Sequence, residues 1–207
     1  DDDIAWFENN GSQSFTEHTI EGDFDGVSTV YAVDMDGDGD MDVVGAAQID
    51  DDIAWFENNG SQSFTEHTIE GDFDGAAGVY AVDMDGDGDM DVLGAAGIDD
   101  DIAWFENNGS QSFTEHTIEG SFDGARSVYA VDVDGDGDMD VVATADVDDD
   151  IAWFENNGSQ SFTEHTIEGD FDGAAGVYAV DMDGDGDMDV LGAADVDDDI
   201  AWFENGS

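Results

Sequence analysis

The sequence predicts an all-β fold, a β-propeller of four-stranded antiparallel blades with about four repeats per chain. The run Ile-Ala-Trp-Phe-Glu-Asn begins at Ile4, Ile53, Ile102, Ile151 and Ile200, so successive copies lie 53 − 4 = 49 residues apart. This period is within the range of propeller blades. Each repeat contains four short β-prone runs separated by turn residues. Several of these runs are apolar on both faces, which indicates sheets covered by neighbours on either side.

The four strands can be placed within one repeat. The first covers Val30 to Val33, and the second covers Val43 to Ala47. The third covers Ile53 to Phe56, and the fourth, which is more polar, covers Ser63 to Ile69. Asn59-Gly60 between the last two is a strong hairpin signal, so these strands are predicted to pair antiparallel.

The whole chain is predicted to be a single propeller domain or a propeller segment. Its first residues supply only a third and a fourth strand, whereas its last residues supply a first, second and third strand. The predicted units are a partial blade over 1–20, blades over about 28–69, 77–118 and 126–167, and a partial blade over 176–205.

Two ways of completing the partial blades remain open. They can complete each other within one chain, which gives four blades, or they can pair with a second copy in a larger homo-oligomeric ring. Either arrangement hides sheet edges that would otherwise invite aggregation. The steep packing angles of a four-blade ring favour the second copy.

A nine-residue acidic loop, Asp34 to Asp42, joins the first two strands and reads Asp-Met-Asp-Gly-Asp-Gly-Asp-Met-Asp. Carboxylates this close together repel one another and disfavour joint ionisation. A hard cation with six to eight oxygen ligands removes the repulsion, which indicates Ca²⁺. Gly39 allows the sharp turn that the loop needs. The same loop recurs at Asp83 to Asp91, Asp132 to Asp140 and Asp181 to Asp189, with Val133 as its only change.

An EF-hand is the competing calcium motif, and the sequence excludes it. That motif requires flanking helices and a bidentate acidic residue at loop position twelve. The flanking residues here are strand-like, and position twelve holds Gly45, Gly94, Ala143 and Gly192.

The composition limits the partners. The chain has 57 acidic residues and one basic residue, Arg126, for a formal charge of -56. Its 40% hydrophobic content separates it from acidic disordered chains. Nucleic acids and anionic membranes are excluded as partners, because both require clustered Lys and Arg. No stretch approaches the roughly 18 apolar residues of a membrane-spanning helix.

Phe24-Asp25-Gly26, followed by Val-Tyr-Ala-Val and the acidic loop, resembles the FG-GAP/VCBS repeat of integrin α-chain heads and many bacterial surface proteins. The resemblance implies an extracellular or cell-surface β-propeller that holds Ca²⁺ in each loop on one face of the ring. In the first loop it implies a backbone carbonyl from Asp40 and side-chain oxygens from the other four aspartates. The implied metal ligands are Asp34, Asp36, Asp38, Asp40, Asp42, Asp83, Asp85, Asp87, Asp89, Asp91, Asp132, Asp134, Asp136, Asp138, Asp140, Asp181, Asp183, Asp185, Asp187 and Asp189.

The function predicted from these observations is a structural or adhesive binding scaffold without catalysis. Its predicted partners are calcium, a second copy of the chain, and a protein or glycan ligand. A calcium-dependent lectin with pockets between blades is the alternative. An enzyme is disfavoured, because the chain has no Cys or Lys and its single Arg stands alone.

Two repeated side chains receive a structural interpretation. His18, His67, His116 and His165 occupy the same strand position in separate blades, which argues against a shared zinc or catalytic site. The Trp6-Phe7 pair and its copies lie on a strand with two apolar faces, which favours core packing over stacking on sugar rings.

Overall fold

A computed structural model describes residues 3–206 of the chain, which form antiparallel β-strands joined by turns. In this part of the chain, no helix has the length and apolar character needed to cross a membrane. The strands are β1 (Ile4–Asn9), β2 (Phe15–Glu21), β3 (Val27–Val33), β4 (Asp42–Ala47), β5 (Asp52–Asn58), β6 (Phe64–Glu70), β7 (Ala76–Val82), β8 (Asp91–Ala96), β9 (Asp101–Asn107), β10 (Phe113–Glu119), β11 (Ala125–Val131), β12 (Asp140–Ala145), β13 (Asp150–Asn156), β14 (Phe162–Glu168), β15 (Ala174–Val180), β16 (Asp189–Ala194) and β17 (Ile200–Phe203).

Strands that follow one another in sequence pair with one another. They form three complete four-stranded sheets, β3–β6, β7–β10 and β11–β14, a two-stranded sheet, β1–β2, and a three-stranded sheet, β15–β17. All pairings are antiparallel, so the predicted four-stranded repeats are confirmed. The first strand begins earlier than predicted, because Val27 pairs with Ala47 and a bulge between Val27 and Thr29 keeps the later residues in register.

Neighbouring sheets pack face to face through apolar side chains. Val44 and Trp55 of the first complete sheet share a buried cluster with Val79 and Phe105 of the second. The first strand of each complete sheet also packs against the first strand of the next sheet. These strands carry a ladder of tyrosine rings whose successive centroids are 4.8 Å apart. The ladder consists of Tyr31, Tyr80, Tyr129 and Tyr178.

The five sheets form an open row within residues 3–206, with β1–β2 at one end and β15–β17 at the other. The all-β fold and the antiparallel four-stranded units are confirmed, whereas the propeller itself stays a prediction. Closure of the blades into a ring stays a prediction.

Identical residues meet different surroundings along this row. Trp55 and Trp104 are buried between sheets, as the core-packing interpretation predicts. At the ends of the row, Phe7 and Trp202 are exposed. Burial here therefore depends on whether a neighbouring sheet is present and not on the local sequence.

The repeat allows a matched test of core packing. Ile102 is 0% exposed in the central sheet, whereas Ile200 occupies the same repeat position and is 86% exposed. We expect Ile102→Ala to lower the free energy of unfolding by about 2–5 kcal/mol, because it leaves a cavity. The control, Ile200→Ala, is expected to change it by less than about 0.5 kcal/mol. Urea unfolding in calcium measures both; equal losses would contradict the packing described.

Candidate metal centres

The acidic loops connect the first and second strands of each sheet. The first loop leaves β3 after Val33 and enters β4 at Asp42. Because the first strands of successive sheets are aligned, the corresponding loops lie on the same side of the row. Each sheet that contains a first and a second strand thus carries one loop, as predicted.

Within the first loop, carboxylates accept hydrogen bonds from backbone N–H groups a few residues ahead. The Asp38 N–H donates to Asp36 Oδ1 at 3.1 Å, and the Asp40 N–H donates to Asp38 Oδ1 at 2.8 Å. The Gly39 N–H donates to Asp34 Oδ2 at 3.0 Å. Gly39 has a φ of 96°, a backbone conformation that residues with a side chain rarely adopt. These bonds hold the backbone of the loop in a tight turn.

The last aspartate of the loop is buried at the start of the second strand. Asp42 Oδ2 accepts the N–H of Met35 at 2.9 Å, and Oδ1 accepts the N–H of Asn58 at 2.7 Å. The Asn58 side chain in turn donates to the carbonyl of Met41 at 3.1 Å. This carboxylate therefore joins both ends of the acidic loop to the third strand. The equivalent residues Asp91, Asp140 and Asp189 accept the same pair of backbone bonds.

Three aspartates of each loop converge. One carboxylate oxygen from each of Asp34, Asp36 and Asp42 lies within 4.8 Å of the others. Because Ca²⁺ binds oxygen at about 2.3–2.6 Å, two ligands on opposite sides of one ion lie about 5 Å apart. Asp34 Oδ1 is also buried and has no hydrogen-bond partner among the described residues. The donor set fits a hard divalent cation. The other clusters are Asp83, Asp85 and Asp91; Asp132, Asp134 and Asp136; and Asp181, Asp183 and Asp189.

Two of the five implied ligands in each loop lie outside these clusters. In the first loop they are Asp38 and Asp40. The Asp40 carboxylate rests against the hairpin turn at Gly60, where an added Cβ would collide with it. A role for Asp40 through its backbone carbonyl is compatible with this side-chain position. In the third loop the cluster contains Asp136 in place of Asp140. Coordination by the remaining aspartates stays a prediction.

Comparison with known protein families identifies the repeat. The profile of the FG-GAP-like repeat matches four overlapping segments that together run from residue 1 to residue 192. The chain belongs to the FG-GAP-like repeat family. The matched segments are 1–45, 34–94, 85–143 and 132–192.

A solved structure shares the fold of this FG-GAP-like repeat protein. The biofilm matrix protein Bap1 of V. cholerae superposes with a TM-score of 0.54 over 86% of the chain, at 18% sequence identity. The chain corresponds to only 26% of the length of that protein. No curated protein sequence matches the present chain significantly.

Burial and neighbouring carboxylates shift the pKa values of aspartates in the acidic loops. Burial raises the pKa of Asp91 to about 6, against the lowering effect of the N–H groups of Asn107 and Met84. Burial also raises the pKa of Asp42 and of Asp140. Each of these carboxylates is thus held in surroundings that disfavour its charge, which a bound cation would compensate.

The fourth loop lies in β15–β17, the last sheet of residues 3–206, and its buried aspartate behaves differently. Asp189 is itself inaccessible to solvent, yet its pKa is lowered, chiefly by the N–H groups of Asn205 and Met182. The same two hydrogen bonds occur in the other loops, where desolvation by the surrounding sheets outweighs them. Asp189 therefore differs from Asp42, Asp91 and Asp140 in the direction of its pKa shift.

The repeated histidines lie in separate sheets, as predicted. His67 stacks on Trp55 with ring centroids 4.6 Å apart, and its Nε2 lies 2.8 Å from Glu57 Oε2. His18, His116 and His165 repeat this arrangement on their own sheets. Each imidazole packs across a strand pair, and the described residues bring no second histidine to it.

Asp51 has a role that the sequence interpretation missed. Asp51 lies in the short acidic connection between β4 and β5, to which the sequence pattern assigns no contact. In the structure the Asp51 carbonyl accepts the Phe73 N–H at 2.9 Å, and Asp51 Oδ1 accepts the Gly75 N–H at 2.8 Å. Asp51 has a φ of 59°, which aspartate tolerates better than most residues. Through these two hydrogen bonds Asp51 connects its own sheet to the turn that precedes the next sheet.

The raised pKa values predict how metal-free protein responds to acid. The pKa of Asp91 is about 6 in the folded chain and 3.8 is its ordinary value. Between these values the folded chain binds more protons than the unfolded chain. The free energy of unfolding of the chelated protein should therefore rise as the pH falls from about 7 to about 5. The same contribution is lost when the pH is raised again through about 6.

Urea unfolding of the chelated protein at the two pH values measures this effect. Asp91→Asn removes the titrating group, so we expect it to flatten part of the pH dependence. A free energy of unfolding that declines on acidification would contradict the pKa directions.

Proposed function

We propose that the chain is a calcium-stabilised β-propeller module that acts as an extracellular, non-catalytic binding scaffold. The observation that supports it best is that Asp34, whose buried Oδ1 has no hydrogen-bond partner among the described residues, lies in the cluster with Asp36 and Asp42. A buried carboxylate oxygen without a partner is costly unless a cation is bound to it.

Calcium binding then contributes directly to folding. The loop aspartates converge only when the first two strands and the third are in register, so the unfolded chain offers no comparable site. Binding free energy therefore adds to the free energy of unfolding. At free Ca²⁺ one hundred times the dissociation constant, each site contributes about 2.7 kcal/mol.

The propeller is supported by the order of the sheets. Their first strands pack against one another along one side of the row, and the fourth strands of the complete sheets are their most exposed strands. Radial blades around a central axis have this arrangement. We propose that the row closes into a ring, with the acidic loops on one face.

A scaffold role is supported by the family and by the surface. The repeated histidines are engaged with Trp and Glu, and Arg126 is engaged by Asp146 and Asp195. The similar protein Bap1 is a biofilm matrix protein, which suggests a location outside the cell for this chain too. Modules outside the cell bind Ca²⁺ in the 10⁻⁴–10⁻³ M range in typical cases.

Glycan binding is the alternative function. Stacking of sugars on the repeated aromatic pair would require exposed indole rings. Trp55 and Trp104 are buried between sheets, so these positions give the alternative no support. A glycan array screened in calcium would test whether other surfaces of the chain bind glycans.

Chelation provides the direct test of calcium dependence. We expect EDTA at low salt to lower the melting temperature by several tens of degrees, because about 1 kcal/mol corresponds to 2–4 °C for a chain of this size. Calorimetry with and without Ca²⁺ measures the change, and metal analysis should find one ion per loop. Coincident melting curves would reject the proposal.

A matched pair of variants separates coordination from general charge. In the unmodified chain the Asp87 N–H donates to Asp85 Oδ1 at 3.1 Å. Asp85→Asn removes one carboxylate of the cluster and keeps a side-chain oxygen that can accept this bond. We expect it to lower the melting temperature in calcium by about 5–10 °C, which is the contribution of one site.

The control is Asp72→Asn, which removes one negative charge from an exposed turn outside the loops. The third repeat has the neutral Ser121 at this position. We expect little change in calcium for this variant, and no loss for either variant in EDTA. Equal losses for the two variants in calcium would show that Asp85 is not a ligand.

A further inference from the structure

Both ends of the row expose apolar side chains that are buried elsewhere. Val30 on β3 is 51% exposed, whereas its equivalent Val79 is 4% exposed. At the other end Met182 is 54% exposed, whereas its equivalent Met35 is 2% exposed. Tyr178, the last ring of the tyrosine ladder, is also exposed. Each end therefore exposes one of the two surfaces that pack against each other between neighbouring sheets inside the chain.

The two exposed surfaces are complementary. Between the first two complete sheets, Met35 and Val44 pack against Val79. Met182 is the repeat equivalent of Met35, and Val30 is the equivalent of Val79. A second copy placed with its β3 against β15 would bring these residues together in the same way. It would also place its own first tyrosine next to Tyr178, so that the ladder with its 4.8 Å spacing continues.

The incomplete sheets are complementary too. Ile4 on β1 packs with Phe24 and Phe56 in the way that Ile53 packs with Phe73 and Phe105. The β1–β2 hairpin therefore occupies the places of a third and a fourth strand. Among the described residues, no first or second strand lies beside β1. Within residues 3–206, the sheet β15–β17 has a first, a second and a third strand but no fourth.

β17 can be replaced by β1 without a change of side chains. Both strands belong to the same run, Ile-Ala-Trp-Phe-Glu-Asn. β17 spans only Ile200–Phe203, and Ile200 is almost fully exposed. β1 is longer and already carries β2, with Trp6 paired to His18. Exchange keeps the same contacts to β16 and adds a fourth strand.

We propose that two copies of this chain assemble by strand exchange. The β1–β2 hairpin of each copy displaces β17 from β16 of the other, so that Leu191 pairs with Trp6 of the second copy instead of with Trp202. Three complete sheets from each copy and two shared sheets close a ring of eight four-stranded sheets.

A second copy fits this structure better than the chain's own opposite end. Ring closure within one chain would place β15–β16 beside β1 after only four sheets. The packing between adjacent sheets instead leaves β1–β2 and β15–β17 as separate sheets with Val30 and Tyr178 exposed.

The mass of the unmodified chain is the first test. Each copy carries a formal charge of -56, so the measurement needs saturating Ca²⁺. It also needs about 1 M NaCl, where the Debye length is about 3 Å. Light scattering should give twice the chain mass of 22.0 kDa. A single-chain mass, or any larger assembly, overturns the proposal. Calcium content is measured in the same sample, so a failure of calcium binding is recognised separately.

A variant of the exposed end tests the interface. We expect Tyr178→Glu to give the single-chain mass, because its charge would be buried against the second copy. The control Val147→Glu changes a residue of similar exposure in the connection between β12 and β13, outside the strands of the proposed interface, and should keep the two-chain mass. A two-chain mass for Tyr178→Glu contradicts the proposed surface.

Cross-linking identifies the exchanged strand. The chain has no cysteine, so two introduced residues report on one contact. Ala193 pairs with Ile200 in the structure and would pair with Ile4 of the second copy after exchange. Paired residues in antiparallel strands have Cα atoms about 4.5–5.5 Å apart, which suits a disulfide.

Oxidised Ala193→Cys/Ile4→Cys protein is expected to run as a two-chain product on a non-reducing gel. The matched control Ala193→Cys/Ile200→Cys should leave its thiols free, because β17 is displaced. A disulfide within one chain in either variant overturns the exchange: through Ile4 it would show closure of a single chain, and through Ile200 it would show that β17 stays in place.

Discussion

The carboxylate at the start of each second strand is the contact on which the rest of the structure depends. Asp42 joins three parts of a repeat, because it accepts backbone bonds from the acidic loop and from the third strand while one of its oxygens lies in the cluster with Asp34 and Asp36. The register of the first three strands and the geometry of the candidate metal centre are thus set by the same group. Its burial is also what makes its charge unfavourable without a cation.

Repetition turns this local unit into a stack. Each complete sheet carries apolar side chains on both faces, so it buries all of them only between two other sheets, and the aligned first strands bring successive tyrosines into contact. The free energy of such an array is approximately a sum of terms for the units and for their interfaces. Sheets at the ends lack one interface, and the exposure of Val30 and Met182 is the visible consequence.

Dense negative charge is compatible with this stack because much of it is engaged in specific contacts. Asp51 and its equivalents accept backbone bonds that connect one sheet to the next, and glutamates pair with the stacked histidines. The one basic residue, Arg126, lies between Asp146 and Asp195 of different repeats. Cations are therefore the natural partners of the remaining surface, and salt should help by screening its repulsion.

The sequence by itself determined the repeat, the antiparallel four-stranded units and the position of the acidic loops, because these follow from local periodicity and turn chemistry. Tertiary structure alone decided which aspartates of a loop converge, that Asp51 fastens adjacent sheets, and that Ile102 is buried while Ile200 is exposed. Near-identical repeats cannot encode such differences locally. They arise from the neighbouring sheet, which removes water from one copy of a side chain and leaves another in contact with it.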